Sequence, residues 1–201
     1  MTPYLLLPLL LLFGYLAGSL TPSIWITRKL KGVDVRDGGS GHATTTNTIR
    51  QVGFGAGALV LAIDLIKGFL PMYLAIYYLP NLYWAIPVAI VTVVGHCWPI
   101  FAGFRGGMGL ATAGGVLLAA FPLGLLVALG VLVALLLIVR HAARATIFTA
   151  VLLPPAFWLA GFENEIVLLG LGLAIVIAAR FFTNWNRQYR ELWLDRDKSG
   201  G

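Results

Sequence analysis

The sequence predicts an all-α integral membrane protein with seven transmembrane helices, some of them short, the N-terminus outside and the C-terminus cytoplasmic. Three observations carry this. Hydrophobic residues make up 59% of the 201 and charged residues 11%, against roughly half and a quarter in a soluble domain. The apolar residues lie in long runs separated by short polar turns. Apart from Lys67 in span two and Arg180 at the end of span seven, the Lys and Arg residues fall in alternate turns and the tail, as the positive-inside bias requires. The +6 formal charge is therefore read as topology and not as a nucleic-acid surface. The one cysteine, Cys97, excludes an internal disulfide and a multi-cysteine metal site.

The first span is read over 4–27. No Lys or Arg precedes Arg28, so it lacks the cationic start of a cleaved signal peptide. After Arg28, Lys29, Lys31 and Arg36 comes the longest polar stretch, RDGGSGHATTTNTIRQVG, Arg36 to Gly53. Span two covers 54–79 and contains Asp64 and Lys67, and span three covers 82–101. The apolar residues 110–139 are too many for one span and too few for two full ones at about 1.5 Å per residue and about 30 Å of hydrocarbon. Phe121-Pro122 divides them into spans at 110–121 and 123–139. Span six is read over 145–159 and span seven over 166–182, with a cytoplasmic tail over 183–201. Residues 1–201 then form a single membrane domain whose turns at 28–50, 103–109 and 140–144 share the cytoplasmic side with the tail.

Two of these turns suit an anion. In the first, Gly38-Gly39-Ser40-Gly41 can bring backbone N–H groups close to a ligand. Thr44, Thr45, Thr46 and Asn47 supply donors and a cap for the helix leading into span two, and Arg50 offers a bidentate fork. A flexible linker ending in an N-cap and a snorkelling Arg explains this loop equally well when it is taken alone. The second, GFRGGMG at Gly103 to Gly109, repeats the device with Arg105 and a helix N-terminus, and the repetition favours anion binding. It is not a Walker A loop, because no Gly-Lys-Ser/Thr follows the glycines. Gly114 and Gly115 read as close helix packing. Asp64 and Lys67, three apart, read as a self-neutralising structural pair.

His96 stands near the end of span three, as a general base or a buried hydrogen-bonding residue. No other ligand stands at helical spacing from it, which argues against a metal. No His-x4-Asp pair, Gly-x-Ser-x-Gly elbow or activated Cys or Ser is present. An enzyme built this way would position two substrates, one already activated.

The chain resembles the PlsY family of membrane glycerol-3-phosphate acyltransferases over nearly its whole length. The resemblance rests on GSLTPS (Gly18 to Ser23), VDVRDGGSG (Val33 to Gly41), TNTIRQVG (Thr46 to Gly53), LAIDLIKGFLP (Leu61 to Pro71) and VVGHCWPIFAGFRGGMGLATAGG (Val93 to Gly115). It implies transfer of an acyl group from acyl phosphate to the sn-1 hydroxyl of glycerol 3-phosphate, giving lysophosphatidic acid for phospholipid synthesis in the bacterial cytoplasmic membrane. By the same resemblance Ser40, Thr46, Asn47 and Arg50 hold glycerol phosphate. Gly106, Gly107 and Gly109 bind beside Arg105, which acts in catalysis with His96 and Asn184. No cofactor, metal, nucleic acid or obligate protein partner is implied, only the two substrates and the bilayer. Arg105 and Met108 replace the family's two lysines, His42 an Asn, Ala143 and Thr146 a serine pair, and Phe181 a His. Arg144 and His42 are the expected compensating residues. The alternative is a non-catalytic membrane homologue that binds a phospholipid or phosphorylated ligand. A small solute transporter is weaker still, for want of an inverted repeat.

Overall fold

The structure, a computed structural model, describes residues 3–186, and every regular element among them is helical. In order these are α1 (Pro3–Gly18), α2 (Pro22–Lys31), a 3₁₀ turn (Val35–Asp37), α3 (Thr45–Val52), α4 (Phe54–Tyr78), α5 (Leu82–Cys97), a second 3₁₀ turn (Ile100–Ala102), α6 (Leu110–Ala120), α7 (Pro122–Val139), α8 (Ala142–Leu159) and α9 (Asn164–Phe182). The predicted tail lies outside the described residues beyond 186.

Among the described residues, six segments are long and apolar enough to cross a bilayer. They correspond to spans one, two, three, five, six and seven of the sequence reading. The fourth, α6, has 11 residues, about 16 Å of helix, and does not reach across about 30 Å of hydrocarbon by itself.

Three features are built differently from the expectation. Span one is broken at Ser19–Thr21, because Pro22 cannot donate to the helix and holds Thr21 at φ −118°, ψ 73°. The cap at Thr44, whose side chain accepts from the Asn47 N–H, belongs to α3 and not to span two. Gly53, at φ 121° and ψ 171°, separates α3 from α4. Only glycine occupies that region without strain. Arg50 consequently sits on α3. Span six starts earlier than expected, at Ala142, because His141 caps α8 through its side chain.

The described residues form two compact units, one within Met1–Pro122 and one within Leu123–Gly201. In the first, α4 packs against α1, α5 and α6, and α1 against α5. The contacts are backbone-close. A Cβ at Gly68 would meet the Thr112 carbonyl, and one at Gly115 the Leu65 carbonyl. Gly18 and Gly95 play the same part between α1 and α5. Lipid tails are as apolar as leucine, so helices in a bilayer gain by close approach through small residues more than by hiding large ones. Val60, Met72, Val88 and Val93 are fully buried, while Leu59, Ile66, Tyr73 and Tyr77 face outward.

In the second unit α8 and α9 pack together, with Phe157 fully buried against Gly170 and edge-on to Phe162. Along α7 the leucines Leu123, Leu126, Leu129 and Leu137 are exposed, as a lipid-facing helix would present them.

Candidate active site

The polar stretch is folded around Asn47, which stands in the first turn of α3 and has no exposed surface. Its Oδ1 accepts from the Ser40 N–H at 3.1 Å. Its Nδ2 donates to the carbonyls of Val35 (2.7 Å), Gly38 (3.1 Å) and His42 (3.0 Å). One turn later Gln51 donates to the Val35 and Gly38 carbonyls at 2.6 and 3.2 Å. Gly39, at φ 56°, lies so close that a Cβ would collide with Asn47 Oδ1. Asn47, expected as a substrate contact, thus directs its amide hydrogens at loop carbonyls. Ser40 is buried beside it, Thr46 is exposed, and Arg50 is half-buried in the last turn of α3.

Arg36 joins this loop to the second one. Its Nη1 donates to the carbonyls of Ala102 (2.7 Å) and Arg105 (3.1 Å). Its Nε and Nη2 donate to the Asp34 carboxylate at 3.0 and 2.8 Å. Asp34 also accepts from the Arg36 backbone N–H, an Asx turn, and from exposed Arg28 at 2.7 Å. Side-chain hydrogen bonds from Arg36 hold the Asp34 carboxyl down at about 2, and the same bonds raise the Arg36 guanidinium.

In the sequence, Arg28 and Arg36 read as topological charges only. The Asp-x-Arg spacing inside a polar loop was the signal for their pairing. Because Asp34 has a folded pKa below its ordinary 3.8, its contribution is present above pH ~4 and is lost as pH falls from ~4 toward ~2. For a partly solvated group this is about 1–2 kcal/mol. Acid unfolding of Asp34→Asn, followed by tryptophan fluorescence in detergent, is expected to lack that component. A wild-type-like acid profile would refute the clamp.

The second loop lies against His96. The Gly107 N–H donates to the His96 carbonyl at 3.1 Å, and the Ala43 N–H reaches the Gly106 carbonyl at 3.4 Å. A Cβ at Gly107 would strike the His96 ring at Nε2 and the Ala43 carbonyl, and one at Gly106 would strike the His96 carbonyl and Pro99. Gly109, at φ 86°, opens α6. Arg105 is exposed and Met108 half-buried.

His96 itself is 5% exposed. Its Nδ1 lies 3.0 Å from Thr112 Oγ1 and 3.7 Å from Asp64 Oδ1. The Asp64–Lys67 pair forms as read, at 2.8 Å, and Lys67 also donates to the Leu20 carbonyl at the α1–α2 break, 2.6 Å away. In the sequence no acid stands at helical spacing from His96. The acid comes from another helix, where one-dimensional spacing cannot show it.

In the second unit Asn184 is buried, its Nδ2 donating to Thr183 Oγ1 at 3.0 Å. Arg144 lies over the Trp185 ring, 5.5 Å from its centre, and donates to the Trp185 carbonyl at 3.3 Å. Phe181, Ala143 and Thr146 are buried there. Among the described residues no three His, Cys, Asp or Glu side chains come together as a metal site.

Contacts thus link Ser40 to Asn47, Gly106 to Ala43 and Gly107 to His96 within the first unit, and Thr46, Arg50, Arg105 and Gly109 stand on the same elements. Backbone N–H groups, a helix N-terminus and guanidinium groups suit an anion.

Comparison with known proteins identifies the family. The glycerol-3-phosphate acyltransferase of Endomicrobium trichonymphae is 34% identical over 180 residues, covering 89% of this chain and 90% of that one. The one from Myxococcus xanthus is 46% identical over 139 residues, covering 69% and 72%. Two crystal structures of PlsY, an integral membrane glycerol 3-phosphate acyltransferase, superpose on this chain. The glycerol 3-phosphate form has a TM-score of 0.80 at 33% identity, and the lysophosphatidic acid form 0.78 at 32%, each covering 90% of both chains. With the glycerol-3-phosphate acyltransferase family model also matching residues 8–191, the chain belongs to that family.

Proposed function

We propose that this protein transfers the acyl group of an acyl phosphate to the sn-1 hydroxyl of glycerol 3-phosphate, forming lysophosphatidic acid and inorganic phosphate for phospholipid synthesis. The observation that carries the reading is the pair of anion-suited loops drawn together by Arg36 above His96. Each loop suits one phosphate. Arg50 and the Ser40 turn take glycerol 3-phosphate, while Arg105 with Gly106 and Gly107 takes the acyl phosphate. For Asn184 the family resemblance alone assigns a part in catalysis.

In the reaction the hydroxyl oxygen bonds to the acyl carbon and the carbon–oxygen bond to phosphate breaks. Phosphate leaves with the electron pair, and the hydroxyl proton passes to a base. His96 is the candidate for holding that hydroxyl. Because the donor is already activated, no enzymic nucleophile is required, only proximity and charge stabilisation.

We further propose seven crossings in a single acyltransferase domain, with α6 as a short fourth. Its row of buried residues, Thr112 to Leu117, fits a helix sheltered inside protein at membrane depth. That count places the N-terminus outside and both loops on the cytoplasmic face of the cell membrane. Met108, where the family carries Lys, favours a second reading, in which the chain binds such a ligand without turning it over.

The two are separated by supplying purified protein with glycerol 3-phosphate and palmitoyl phosphate. Lysophosphatidate and acceptor-dependent phosphate release are expected. Their absence from folded protein would leave only the binding reading. Arg50→Ala is expected to lower turnover by roughly ten- to a hundredfold, the loss of a charge-assisted contact. Unchanged turnover would remove Arg50 from the site.

A further inference from the structure

Lys67 and Asp64 are buried on α4, 5% and 2% exposed, and the acyl-transfer chemistry above makes no use of them. A self-neutralised pair needs only its two members, yet this one is tied to three other elements. Lys67 reaches back to the Leu20 carbonyl, and Asp64 approaches His96 on α5, whose Nδ1 is also in contact with Thr112 of α6. The approach is built into the packing. Gly68, one turn after Asp64 on the same face, lets α4 come so near α6 that a Cβ there would meet the Thr112 backbone. That contact delivers the Thr112 hydroxyl and the Asp64 carboxylate to the same ring nitrogen.

We propose that Asp64 and Thr112 are positioning residues that fix His96 in the tautomer with its proton on Nδ1, so that Nε2 is the hydrogen-bond acceptor on the side of the Gly106–Gly107 turn. The assignment follows from charge. A bare nitrogen lone pair 3.7 Å from a carboxylate oxygen would be repelled, whereas an N–H there is attracted and donates to Thr112 Oγ1 at 3.0 Å. Lys67, 2.8 Å from the same carboxylate oxygen, balances its charge, so the carboxylate orients the ring without the pair carrying a net negative charge that would hold a second proton on it. The opposite nitrogen, Nε2, is the one against which a Cβ at Gly107 would collide, which places it beside the turn assigned to the acyl phosphate. The ion pair in the middle of α4 is thereby connected to the chemistry through one imidazole.

This inference rests on the reading of His96 as the residue that holds the attacking hydroxyl, but its first test does not depend on turnover. In ¹⁵N-histidine-labelled protein, with the His96 signals assigned by their loss in His96→Gln, Nδ1 is expected to show the protonated, pyrrole-type signal and Nε2 the imine type. The reverse pattern in the wild type would overturn the proposal.

The second test uses Thr112→Val, which keeps shape and removes the hydroxyl, and Thr112→Ser, which keeps the hydroxyl. Asp64→Asn is measured alongside. Thr112→Val and Asp64→Asn are expected to weaken the tautomer preference. Both should lower kcat by roughly ten- to a hundredfold, a part of what a positioned acid–base group contributes, with KM for glycerol 3-phosphate changed by no more than about twofold. Thr112→Ser is expected to restore both signals and rate. Equal kcat in Thr112→Val and wild type would refute the positioning role. Absence of acyl transfer from the wild type would fall on the proposed function, and the tautomer measurement would still decide this inference.

Discussion

Asn47→Asp is expected to abolish most acyl transfer, by on the order of a hundredfold or more, while leaving the apolar helices folded. The substitution is nearly isosteric and changes only hydrogen-bonding sense. Three carbonyls, those of Val35, Gly38 and His42, now receive Nδ2 hydrogens within 3.1 Å. In the variant they would face a second carboxylate oxygen, and the site has no exposed surface through which water could intervene. Burying an unpaired charge costs about 3–5 kcal/mol, and the loop can avoid that cost only by opening. Gln51 supports the Val35 and Gly38 carbonyls but not that of His42, so it cannot hold the loop closed alone. Opening would release the Ser40 N–H and loosen the segment that carries Arg36, and with it the link to the second loop. The variant should show faster protease cleavage between residues 38 and 42 and unchanged helical circular dichroism. Gln51→Leu is expected to be milder, because Asn47 still covers both of its carbonyls. Wild-type turnover in Asn47→Asp would show that loop closure is unimportant for the reaction.

The helices were legible because each is a local pattern: an apolar run, a proline or glycine that ends it, a threonine that caps it. Thr44, Phe121-Pro122 and the Asp64–Lys67 pair all behave as their neighbours in sequence require. What the sequence concealed was either one backbone angle or a long-range contact. Gly53 looked like one glycine among several, and its φ of 121° divides what reads as one continuous helix. Arg36 is separated by 66 residues from the Ala102 carbonyl it grips, and nothing in a run of basic residues distinguishes a clamp from a topological charge. Asp64 of α4 and Thr112 of α6 both reach His96 of α5, where glycines also let α4 and α6 touch. Small residues at a helix interface indicate that helices meet, without showing which side chains are carried in with them. The polar loops were therefore legible, and the contacts beneath them were not.

The other large effect is expected at Gly107→Ala. One methyl group is added, and the two things it would meet cannot move aside cheaply. One is the Ala43 carbonyl, part of the backbone beneath the first loop, and the other is the His96 ring. That ring is held from behind by Thr112 and Asp64. The turn itself must therefore shift, by roughly an ångström, and a displacement of that size in a positioning element costs about a hundredfold in rate. The shift would also break the Gly107 N–H bond to the His96 carbonyl and carry the Arg105 backbone away from Arg36. Gly130→Ala is the matched control, since a Cβ there meets nothing within 4 Å and lies in regular α7; it should be neutral or slightly stabilising. Gly103→Ala separates backbone strain from collision. Its Cβ also meets nothing, but its φ is 61°, so it should lose about 1 kcal/mol of local stability and little rate. If Gly107→Ala kept turnover within about threefold of wild type, an ångström-level requirement on this turn would be excluded. The reacting phosphate would then have to be placed elsewhere.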